Sequence, residues 1–111
     1  MPIKKAIRQL RAGDIDTIGT VISDNIDPTN TVTVDSATFE VFDSDDASIQ
    51  ASGSATIGDN ISTTVDVYGL VNTTAAAGDT SWDDQGSYYV KFTIVIGSLT
   101  KIVIEPFEYL S

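Results

Sequence analysis

Alternation of apolar and polar residues is the dominant pattern in this chain, and it predicts β-strands. The clearest run covers residues 88–96, whose even-numbered members are apolar: Tyr88, Val90, Phe92, Ile94 and Ile96. Gly97-Ser98 follows, and residues 99–104 resume a β-rich run, so the two segments predict a hairpin. Because proline cannot donate a ladder hydrogen bond, Pro106 predicts that the last strand, ending near Tyr109, lies at a sheet edge or contains a bulge there.

Further strands are predicted upstream, one of them near residues 15–23. The alternation of residues 37–42 ends at the turn formers of residues 43–46, and residues 49–57 predict two short strands or one bulged strand. Residues 61–67 alternate again and are bounded by turn residues before and by Gly69 after. The total is about seven strands. The apolar positions predict a core of Ala37, Phe39, Val41, Val65, Val90, Phe92 and Ile94.

The first twelve residues differ from the rest in charge. The arm, residues 1–12, holds four of the six basic residues, whereas all sixteen acidic residues lie in the single domain predicted for residues 13–111. Its aliphatic residues have helical spacing, which predicts a short amphipathic helix ending at Gly13. We expect the arm to dock on the acidic surface of a neighbouring copy; the alternatives are that it folds back on its own body or is a solvated tail. The predicted protein-interaction residues are Ile3, Lys4, Lys5, Ile7, Arg8, Leu10 and Arg11.

Composition limits the possible functions. A formal net charge of −10 makes nucleic acid an improbable partner, and no apolar run is long enough to cross a membrane or to serve as a secretory signal. The absence of histidine and cysteine removes the commonest catalytic groups, so we expect no enzyme and no cofactor. Asp43, Asp45 and Asp46 form the one cluster considered for a hard cation, but a solvated turn is the favoured interpretation and no metal site is predicted.

The most specific motif is Asp84-Gln85-Gly86-Ser87-Tyr88, directly before the strongest predicted strand. It resembles the tyrosine corner of immunoglobulin-like domains, in which the tyrosine hydroxyl bonds the backbone of the preceding corner. The structural corner residues are therefore Asp84, Gly86 and Tyr88. Val90 stands where antibody domains carry their second cysteine, which excludes that subclass. The predicted fold is an all-β, immunoglobulin-like antiparallel β-sandwich with a short basic N-terminal arm.

Over about residues 13–109 the sequence also resembles small immunoglobulin-like structural proteins of tailed bacteriophage virions. The matching motifs are Gly13-Asp14, the run Ala37 to Asp43, the run Ser52 to Thr56, and Gly78 to Tyr88. This resemblance implies localisation in a virion and a role as a capsid decoration protein that stabilises or ornaments the particle. It also implies protein partners, a capsid or other virion protein, and we expect self-association.

Two other functions remain open. The chain could be a neck, tail or baseplate-associated virion protein, or an immunoglobulin-like binding module that recognises a saccharide or a protein through its loops. A saccharide reader is expected to expose several aromatic side chains on one face. Trp82 lies in a polar stretch and predicts either an exposed interface anchor or a cap on the sandwich core, with the cap favoured.

Overall fold

The computed structural model describes residues 8–24, 26–58, 62–74, 82 and 85–110, and these residues form β-strands, turns and loops without a helix. Eight strands are present in this part of the chain: β1 Arg8–Arg11, β2 Ile15–Ile22, β3 Ser36–Asp43, β4 Ser48–Ser54, β5 Thr56–Ile57, β6 Val65–Asn72, β7 Gly86–Ile96 and β8 Leu99–Leu110. The all-β prediction is confirmed.

The strands form two sheets that pack face to face as a sandwich. One sheet has five strands in the order β1-β8-β7-β3-β4, and the other has three in the order β2-β6-β5. All neighbours are antiparallel except β1, which runs parallel to β8. In immunoglobulin-like domains, strands B, D and E lie in one sheet and strands C, F and G in the other. Here β2, β5 and β6 lie in one sheet and β3, β7 and β8 in the other, which is the same arrangement in chain order. The predicted β-sandwich is therefore present.

The core lies between the sheets, and all seven predicted core residues are buried in it. Phe39 of β3 is paired with Phe92 of β7, and their ring centroids are 6.5 Å apart. Lys91, on the opposite parity of β7, is only half-buried, which confirms the predicted register. Because side chains alternate across a strand, β3 directs its odd-numbered positions to the core and β7 its even-numbered positions, as the sequence pattern requires.

The helix predicted for the N-terminal arm is wrong for its described part, since Arg8–Arg11 is a strand. Its residues pair with the end of β8, from Arg8 opposite Phe107 to Arg11 opposite Leu110. Leu10 is only 1% exposed and lies in the core. Hydrogen bonds to β8 and burial of one leucine therefore override a local helical spacing that is marginal in so short a segment. Residues 8–11 belong to the sandwich, while residues 1–7 lie outside the described residues.

Three further boundaries depend on tertiary contacts. Residues 49–57 form two strands, as one of the two interpretations predicted, but β4 and β5 belong to different sheets. The predicted strand at 61–67 begins instead at Val65 and runs through Gly69 to Asn72. Pro106 pairs with Tyr89 on one side, while β1 covers only residues 107–110 of β8 on the other. Among the described residues Pro106 therefore lies at an open edge, without a bulge in the β7–β8 register.

Candidate interaction site

The basic N-terminal segment makes its described contacts with its own domain. Arg8 forms an ion pair with Asp16 of β2, and both side chains are about half exposed. The hydrogen bond from Arg8, followed by one from the backbone N–H of Thr17, lowers the pKa of the Asp16 carboxyl below its ordinary value. Exposed pairs of this kind contribute about 1 kcal/mol or less. For residues 8–11 these contacts match the alternative in which the arm folds back on its own body, whereas Ile3, Lys4, Lys5 and Ile7 lie outside the described residues.

The turn after β1 is held by a residue that the sequence pattern did not identify. Thr73 follows β6 and is buried, and its hydroxyl and its backbone N–H both donate to the carbonyl oxygen of Asp14, at 2.7 and 3.0 Å. The Asp14 carboxylate accepts a hydrogen bond of 2.8 Å from the backbone N–H of Arg11. The sequence could not identify Thr73 as the residue that holds this turn, because its hydrogen bonds to Asp14 join residues far apart in the chain.

Tyr88, near the start of β7, belongs to a buried aromatic cluster. Its ring stacks on Trp82 at a centroid distance of 5.1 Å and meets Tyr109 edge-on at 5.6 Å. Tyr88 is 5% exposed, so it does not point into bulk solvent, and Gly86 has a φ of +149° that L side chains rarely adopt. Trp82 is 7% exposed and caps the core, as the favoured interpretation predicted. Asp84 lies outside the described residues, so the hydrogen bond of the corner stays a prediction.

The acidic turn between β3 and β4 is organised by its own carboxylates. The Asp43 carboxylate accepts hydrogen bonds from the backbone N–H groups of Asp45 and Ala47, both at 2.9 Å. Asp46 has a φ of +63°, and its carboxylate accepts a 2.8 Å hydrogen bond from the hydroxyl of Tyr89. Within the described ranges no group of three or more acidic side chains is arranged to hold a metal ion. These hydrogen bonds fix the conformation of the turn and attach it to β7 of the five-stranded sheet.

The hydrogen bond to Asp46 changes the chemistry of Tyr89. This bond is the largest cause of a raised Tyr89 pKa, because it stabilises the neutral phenol; desolvation and the negative charges of Asp46, Asp43 and Glu40 act in the same direction. The Tyr89 ring also stacks on Phe42 of β3 with centroids 5.2 Å apart. One face of each ring is thus covered by the other, which reduces the aromatic surface open to a sugar ring.

A continuous surface with little charge lies on the side of the five-stranded sheet that faces away from the core. Four cross-strand rows of β3, β7 and β8 define it, and we call it the outer face. Its residues are Ser36, Thr38, Glu40, Phe42, Tyr89, Lys91, Thr93, Val95, Thr100, Ile102, Ile104 and Pro106. Ile102 is 51% exposed and Ile104 is 50% exposed, so two large aliphatic side chains of one strand are presented to solvent.

Comparison of the chain with protein-family models, with curated proteins and with solved structures finds no match. Among the residues that the structure describes, no helix has the length and hydrophobicity needed to span a membrane.

Proposed function

We propose that this chain is a non-enzymatic virion structural protein, a capsid decoration or accessory protein that stabilises or ornaments the particle. The observation that supports a contact role best is the outer face. It is a sheet surface with exposed aliphatic side chains and little charge on a chain whose net charge is −10. Exposed apolar surface is a feature of sites at which proteins contact one another.

The packing beneath the outer face fits the same role. The strands beneath the outer face direct Val90, Phe92 and Ile94 into the core, where each is fully buried. The described carboxylates of Asp16, Asp43 and Asp46 are engaged in an ion pair or in hydrogen bonds of a turn. A particle-binding protein needs a fixed surface and many repeated weak contacts, and it needs no tuned acid or base.

The resemblance to small immunoglobulin-like phage virion proteins supports the placement in a particle. A neck, tail or baseplate position would use the same kind of surface. For the binding-module alternative, the Phe42–Tyr89 pair at the edge of the outer face favours a protein ligand over a saccharide, because the two rings cover one another.

The test is to purify virions of the phage that encodes the chain and to quantify its peptides by mass spectrometry against the major capsid protein. We expect a fixed ratio that persists through density-gradient purification. A non-structural phage enzyme from the same lysate is the control and should be lost during purification. Copy numbers comparable to the major capsid protein would indicate decoration, and a few copies per particle would indicate the neck or tail. Abundance in the lysate without peptides in the particles would refute the proposal.

A further inference from the structure

The outer face differs in charge from the chain as a whole. Among its twelve residues it carries one acid, Glu40, and one base, Lys91, so its formal charge is zero on a chain with a net charge of −10. Two acidic molecules repel each other, and contact through these rows lowers that cost, although the Asp46 carboxylate lies against Tyr89 at one end of the face. This neutrality makes the face suitable for contact with another acidic protein.

The two charges of the outer face lie side by side and are left unpaired by the domain. Glu40 of β3 is directly opposite Lys91 of β7 in the register, yet the described residues contain a single ion pair, Arg8 with Asp16. The Lys91 ammonium lies instead above the Phe42 ring, 6.0 Å from its centroid. A surface with an adjacent acid and base is self-complementary under a two-fold axis, since each charge then meets its opposite on the other copy.

We propose that the outer face binds a second copy of this chain in a two-fold, face-to-face contact. Glu40 of each copy would face Lys91 of the other, and the exposed side chains of Ile102 and Ile104 would be buried between the two sheets. The charge pattern selects this occupant. A basic partner would be drawn to the acidic turn of residues 43–46 and not to the outer face. A second copy of this chain presents the same adjacent acid and base, so its outer face is complementary to the first.

The size of the outer face predicts a weak dimer. Three strands at a spacing of about 4.8 Å and seven residues at a rise of about 3.3 Å give a flat area of roughly 15 by 23 Å. This is small beside the ~800 Å² that each partner buries in a stable complex. We therefore expect an equilibrium that depends on concentration, and in a lattice many such contacts act together. The inference does not rest on the virion role, because an isolated chain should show it.

The first test measures the association of the full chain by sedimentation velocity over a wide range of concentrations. Ile104→Glu and Leu70→Glu form a matched pair, because Ile104 is 50% exposed on the outer face and Leu70 is 53% exposed on the three-stranded sheet. We expect Ile104→Glu to weaken dimerisation by about tenfold or more, and Leu70→Glu to change it less than about twofold. Thermal melting confirms that both variants are folded.

The second test uses charge reversal. Glu40→Lys and Lys91→Glu should each abolish self-association, because two copies of either variant bring like charges together. An equimolar mixture of the two variants should form a heterodimer, since every charge then meets its opposite, and the double variant should associate again. If the substitutions acted only by disturbing the fold of their own chain, mixing the two variants would not restore association.

Three results would overturn the inference. The first is a wild-type chain that stays monomeric at every concentration, which would leave the outer face to a different protein. The second is equal weakening by Ile104→Glu and Leu70→Glu, and the third is failure of the two reversed variants to form a heterodimer. The mass-spectrometric test of the virion role is independent of all three.

Discussion

Replacement of Gly69 by alanine is a sharp test of how the two sheets pack. Gly69 lies in the middle of β6, and a Cβ built on it would be 2.5 Å from Cγ of Phe39 and 2.6 and 2.7 Å from its Cδ atoms. Carbon atoms in contact are normally about 3.5–4.0 Å apart, so the ring would have to move by about 1 Å. Phe39 is 6% exposed and packs against Phe92 on the neighbouring strand, which leaves it little room. We expect Gly69→Ala to lower the free energy of unfolding by about 1–3 kcal/mol, the usual cost of overpacking a core.

Gly53 of β4 provides the matched control, because it is paired with Phe39 in the neighbouring strand. A Cβ on Gly53 would meet only Cε1 of Phe39, at 4.0 Å, which is an ordinary contact. We expect Gly53→Ala to be neutral or to stabilise the chain by up to about 1 kcal/mol, because it reduces the entropy of the unfolded state. Urea denaturation measures both changes, and in a Phe39→Leu background the cost of Gly69→Ala should become smaller. Equal effects of Gly69→Ala and Gly53→Ala would refute the packing argument.

Three other substitutions test the N-terminal strand, the corner and the acidic turn. Leu10→Ala should cost about 2–5 kcal/mol in urea denaturation because Leu10 is 1% exposed, and a loss below about 0.5 kcal/mol would mean that β1 is not part of the core. Tyr88→Phe should cost about 0.5–1.5 kcal/mol if its hydroxyl bonds the corner backbone, and an unchanged stability would argue against that bond. Asp46→Asn should lower the raised pKa of Tyr89 toward its ordinary value of 10.0, because it replaces the charged acceptor of the Tyr89 hydrogen bond, the largest cause of the shift, with a neutral amide. NMR titration of the ring measures this, and an unchanged pKa would contradict the assignment.

The N-terminal segment shows where sequence reasoning reached its limit. The spacing of Ile7 and Leu10 suits a helix, and the strand at Arg8–Arg11 exists because the end of β8 offers it hydrogen bonds and a place in the core for Leu10. Deletion of residues 1–11 would remove a strand and a core residue, whereas deletion of residues 1–7 spares both.

The candidate site was only partly predictable for the same reason. The alternation of β7 already placed Tyr89 and Lys91 on the solvent side of the strand. It could not show that Glu40 lies opposite Lys91, or that Phe42 stacks on Tyr89, because those contacts depend on the pairing of β3 with β7. The bond between Tyr89 and Asp46 likewise joins residues that are distant in the chain.

The local sequence pattern was sufficient for the all-β class and for the buried faces of β3, β6 and β7, because the two-residue period of a strand is a property that each segment carries alone. The sequence also determined the overall acidity and the absence of thiol and imidazole chemistry. Tertiary structure decided the rest: the parallel docking of β1, the passage of the chain from one sheet to the other between β4 and β5, and the need for a glycine at position 69. These features arise from contacts between segments far apart in the chain, and no local pattern specifies which segments will meet.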